Sequence, residues 1–123
     1  MRELLAALNT GHEGGMSTLH ANGPEEVPAR FEALGALAAM PREGVHAQLR
    51  EALRVVVHVS RRGGSRTVDR VGVVVPDPVD PHAVRVVEAA RSGDRGLVAG
   101  PGRERLIKLV PSLASGCRWV GPC

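Results

Sequence analysis

An α/β fold is predicted for this 123-residue chain from three observations. Two helical apolar stripes follow one another, one through Val27, Phe31, Leu34, Leu37 and Ala38, the other through Val45, Leu49, Ala52 and Leu53. A valine-rich run, Val55 to Val59, then returns as a second run, Thr67 to Val75. The linker Arg62-Gly63-Gly64-Ser65 is a hairpin turn, because paired glycines accept the backbone twist such turns need.

The length admits one domain with a modest core. Apolar residues make up 43% of the chain, which favours folding over disorder. The aromatic share is 2%, Phe31 and Trp119, so the core is built from Val, Leu and Ala. Stacking platforms for single-stranded nucleic acid need aromatic rings, and the composition argues against that class. The net charge is +3, and every basic residue except Lys108 is arginine. The arginines are scattered; the densest group, Arg61, Arg62 and Arg66, flanks the hairpin. A solvated surface accounts for them, with an anion or nucleic-acid patch as the alternative. Cys117 and Cys123 sit together near the C-terminus, unlike a disulfide framework, and are expected to be reduced. No apolar run approaches the ~18 residues of a membrane span. The first residues, M-R-E-L-L-A-A-L, carry Glu3 and no cleavage site, so no secretory signal is expected.

Taken in order, Leu4, Leu5 and Leu8 share one helical face, closed by Asn9-Thr10-Gly11. Met16 to Ala21 is read as a short strand, on which Thr18 and His20 share one face and Ser17 and Leu19 the other. Asn22-Gly23-Pro24-Glu25-Glu26 starts a helix, with proline at the first position and acids at the positive end of the dipole. Pro28 removes a donor in the second turn, so the helix either kinks or starts there. Pro41 opens the second helix. The Val55–Val59 run has the near-continuous apolar character of a strand covered on both faces. Pro76-Asp77-Pro78 ends the strand after it. His82 to Ala90 is read as a strand, with a short helix as the alternative, Gly93 to Gly102 as loop, Arg105 to Val110 as a helix, and the tail after Ser112 as disordered.

The stretch Thr10 to Asn22, T-G-H-E-G-G-M-S-T-L-H-A-N, organises the chain. His12, Glu13 and His20 do not have the H-E-x-x-H spacing of a helical metal pair, and no third ligand is near. Ser17, His20 and Glu13 lack the nucleophile elbow that a hydrolase triad uses. With P-E-E-V-P-A-R-F-E-A-L-G, Q-L-R-E-A-L-R-V-V-V-H-V-S-R and R-T-V-D-R-V-G-V-V, however, the stretch resembles the histidine box and following segments of type II/IV secretion-system ATPases. The likeness is greatest to the tight-adherence (Flp) pilus, CpaF-like branch, and covers residues 3–75 well.

The resemblance implies a partial RecA-like P-loop NTPase domain over residues 1–110, with 111–123 as the disordered tail. It implies a homo-hexameric ring in the cytoplasm, peripheral to the inner membrane and acting with platform proteins, and ATP with Mg as cofactors of an intact relative. Carried over residue by residue, the box histidine is His20, near the terminal phosphate with Thr18; Gly11, His12 and Glu13 match the turn before the box, and Asn22 and Arg30 match positions after it. Gly23 departs from the family's usual Ser and weakens a helix cap; Arg54 reverses the charge of a frequent Asp. The chain contains no G-x-x-x-x-G-K-[ST] phosphate loop, and its lysine, Lys108, lies in L-I-K-L. The acidic strand that would hold Mg is also not found in the sequence. The expectation is therefore a C-terminal portion, beginning after the phosphate loop, that binds no nucleotide or metal alone. The alternative is a non-catalytic module that packs on an ATPase half or a ring subunit.

Overall fold

The structure, a computed structural model, describes residues 18–116 and 118–120. A 3₁₀ turn, Pro24–Glu26, leads into helix α1, Val27–Leu37, and Pro41 precedes α2, Arg42–Ala52. Four strands follow: β1, Val55–Arg62; β2, Ser65–Pro76; β3, Val84–Gly93; and β4, Gly96–Ala99. Helix α3, Arg103–Leu109, a second 3₁₀ turn, Pro111–Ala114, and the short β5, Trp119–Val120, complete the described elements. None of the described helices is long and apolar enough to cross a membrane.

The sheet has the order β1-β2-β3-β4-β5. The first three pairings are antiparallel and β4 with β5 is parallel. Gly63 and Gly64 both have positive φ, 57° and 85°, and close the expected hairpin with Arg62 opposite Ser65. Two register shifts, at His58/Val59 and at Val71/Gly72, accentuate the twist.

Because side chains alternate along a strand, the neighbours Val73 and Val74 of β2 enter two different cores. Val74, Val84 and Val86 pack with Val27, Phe31, Val45 and Leu49, so α1 and α2 cover one face. Val73 and Ala89 pack with Leu106 of α3 on the other. The molecule is thus a mixed α/β layer structure, as predicted. Gly72 permits a close approach between these layers, since a Cβ there would collide with Val86 and stand 3.1 Å from Pro24 Cβ.

Several expectations are corrected. The strand covered on both faces is β2; β1 is an edge, with Val57 and Val59 53% and 50% exposed. Leu37 lies off the Val27, Phe31, Gly35 stripe at the end of α1 and is fully outside the core, where Ala39, at φ 58°, turns the chain. Pro28 falls in the first turn of α1, so the helix starts there and the missing donor costs nothing. The loop expected from Gly93 to Gly102 contains β4, because the turn after Gly93 folds Leu97 and Val98 back onto the end of β3. In the tail, the Trp119 indole N–H donates to the Leu113 carbonyl at 2.7 Å and the Arg103 guanidinium lies 4.6 Å above the ring. Those contacts seat β5 beside β4, where disorder was expected. The early helix lies outside the described residues. Of the expected Met16–Ala21 strand, residues 18–21 are described, and they form no strand and join no sheet.

Candidate functional site

The described part of the box segment runs along the layer formed by α1 and α2. Leu19 and Ala21 pack on the apolar core, whereas Thr18 and His20 are exposed. The strand-like alternation was therefore read correctly, although no ladder forms. Arg30 of α1 donates from Nε to the His20 carbonyl at 3.0 Å and clamps the segment to the helix. Glu26 accepts from the Asn22 N–H at 2.9 Å, which ties the end of the segment to the 3₁₀ turn. Gly23 offers no side-chain cap, consistent with the weakened cap expected there. Glu25 pairs with Arg70 of β2 at 3.3 Å, which ties the same turn to the sheet. The structure thus brings Thr18, His20, Asn22 and Arg30 into one neighbourhood. Gly11, His12 and Glu13 lie outside the described residues.

A second polar group sits beneath this surface and was missed from sequence. His46 of α2 is 2% exposed, and its Nδ1 accepts the Val84 N–H of β3 at 2.9 Å. The proton is therefore on Nε2, which faces Glu32 Oε2 of α1 at 3.5 Å. Glu32 also accepts from Arg42 Nε at 2.7 Å, and Arg42 reaches Asp80 at 3.0 Å. One chain of polar contacts so joins α1, α2, β3 and the β2–β3 loop. The paired carboxylates raise the Arg42 pKa. The His82 backbone N–H first, and Arg42 second, hold the Asp80 carboxyl below its ordinary value. Asp77 is likewise lowered, by the backbone N–H groups of Asp80 and Val79. A carboxyl whose folded pKa is depressed stabilises the fold above its unfolded pKa, and the contribution is lost as pH falls through the folded value. Acid unfolding is therefore expected to steepen below the ordinary aspartate value of 3.8, and less so in Asp80→Asn, as a fluorescence-monitored acid titration would show.

The chemistry open to the box residues is limited by their setting. Thr18 and His20 are exposed, and they line neither the concavity beside Arg50 and Arg54 nor the one beside Asp69 and Arg91. No described group of His, Cys, Asp and Glu could hold a metal ion.

A valine-rich sheet covered by helices on both faces, preceded by a segment that leaves its histidine exposed, defines an α/β domain. Residues 2–96 match the family of the type II/IV secretion system protein, and the chain belongs to that family. It is also 50% identical over 96 residues to a "Putative conjugal transfer protein" in each of two strains of Mycobacterium tuberculosis. The match covers 77% of this chain and 26% of each relative, so the chain corresponds to about a quarter of their length. No solved structure matches.

Proposed function

We propose that this chain is the C-terminal portion of a secretion or transfer ATPase, a RecA-like half that works only when joined to a half carrying the phosphate loop. The observation that carries the reading is the family match over residues 2–96 in a sequence with no G-x-x-x-x-G-K-[ST]. In the joined machine His20, with Thr18, would lie near the terminal phosphate and couple hydrolysis to domain motion; Arg30 would hold the segment in place. ATP and Mg would bind largely through the other half. The machine would be a hexameric ring on the cytoplasmic side of the inner membrane, acting with platform proteins. The motif likeness favours pilus assembly of the tight-adherence kind, while the relatives' name favours conjugal transfer.

Titration of the purified chain with Mg·ATP is expected to show no saturable binding at micromolar concentration; a saturable signal would sink the reading. Co-expression with the phosphate-loop half should restore hydrolysis, and His20→Ala in the pair should lower it about tenfold or more. Unchanged turnover would remove His20 from the site.

The second reading is a non-catalytic packing module, favoured by one observation. The edge strand β1 and its neighbour leave Val57, Val59 and Val68 about half exposed, a surface that invites another chain. Aggregation alone but solubility with the other half supports it, whereas a stable monomer counts against it.

A further inference from the structure

We infer that the concavity where β1 begins is a receptor for an acidic side chain of a partner polypeptide. It lies between the two helical layers, with a volume of about 70 Å³. Three arginines from three places in the chain converge on it: Arg50 from α2, Arg54 from the link into β1, and Arg105 from α3. Its apolar lining includes Leu53, Val74 and Leu109, and no carboxylate of the described residues lines it.

The stems of these arginines are fixed by backbone and helix. The Arg54 carbonyl accepts the Val74 N–H at 3.0 Å, which anchors it to β2. Arg50 donates one guanidinium nitrogen to the Pro81 carbonyl at 3.2 Å and keeps further donors free. Arg54 and Arg105 form no ion pair among the described residues. Elsewhere on this surface guanidinium groups find acids, as Arg42 does with Glu32 and Asp80, and Arg91 with Glu88. Here three arginines border one concavity and no carboxylate of the described residues borders it with them, so the site offers donors to an anion from outside.

Size and lining select the anion. Sites for drug-sized ligands run to ~300 Å³ or more, so this one takes a single group and not a nucleotide. The planar fork of arginine matches a carboxylate with two parallel hydrogen bonds. The apolar lining rewards a neighbouring aliphatic side chain, which a free inorganic anion lacks. The ligand is therefore an acidic peptide with leucine-like residues beside its carboxylates. This surface is separate from the His20 segment, and the inference stands whether or not the ATPase reading does.

Fluorescence anisotropy with the 123-residue chain tests it, using a labelled peptide with a Leu-Glu-Glu-Leu core, its Leu-Gln-Gln-Leu counterpart and inorganic phosphate as competitor. At low salt the acidic peptide is expected to bind about tenfold or more tightly than the glutamine one. Arg54→Ala and Arg105→Ala should each weaken it about tenfold with an unchanged circular dichroism spectrum, since both side chains are exposed. Arg61→Ala, at the far hairpin, should leave binding unchanged. Equal binding of the two peptides, no binding, insensitivity to both pocket variants, or displacement by phosphate at concentrations equal to the peptide's would each overturn the proposal.

Discussion

Leu49→Ala is expected to remove about 3 kcal/mol of stability. Leu49 is 1% exposed and is among the largest side chains wholly enclosed in the molecule. It belongs to the cluster in which α2 meets α1 and the inner face of β2 and β3. Truncation loses the transfer energy of the buried carbons and leaves a cavity, since α2 is held by the His46 contact and cannot collapse freely. At about 4 °C per kcal/mol, the thermal midpoint should fall by roughly 12 °C, read by circular dichroism. Leu37→Ala is the control: Leu37 is 87% exposed, and its loss should stay within about 0.5 kcal/mol. Equal midpoints for the two variants would show that the helical layer does not pack on the sheet in this way.

His46→Leu should cost about 2 kcal/mol, although leucine fills much of the same space. The loss arises at Val84, whose N–H begins β3 and would be left buried without its acceptor. Removing the ring also leaves Glu32 without the Nε2–H that faces it. His46→Asn keeps a side-chain acceptor near the Nδ1 position and should recover about half of the loss. Urea unfolding of the three proteins decides the point, and hydrogen exchange at Val84 gives an independent reading. A leucine variant as stable as the parent would reduce this polar chain to an incidental contact.

The resemblance, the helices and the hairpin were legible because each rests on local pattern. Val45 and Leu49 are one turn apart on a helix, and Gly63-Gly64 names its own turn. The alternation at Thr18, Leu19, His20 and Ala21 likewise put Thr18 and His20 on one face, and the structure leaves that face exposed. The buried polar chain was not legible. Glu32 and Arg42 sit on different helices, and His46 meets Val84 from 38 positions away, so no spacing rule connects them. Nor could a run of valines reveal whether its strand was central or an edge. Val55 to Val59 and Val73 to Val75 look alike in sequence, and only sheet order separates them.

By itself the sequence determined family membership, the shared face of Thr18 and His20, and the order of helix and strand, because periodicity, turn chemistry and motifs act over a few neighbouring residues. Tertiary structure decided what depends on distant partners. It made Gly96 to Ala99 a strand by supplying β3 to pair with, and it seated the tail by placing Leu113 and Arg103 against Trp119. It also drew Arg50, Arg54 and Arg105 from separate elements to one concavity. Hydrogen-bond ladders, buried pairs and shared charge are properties of surfaces brought together, and a linear pattern carries no record of which surfaces will meet.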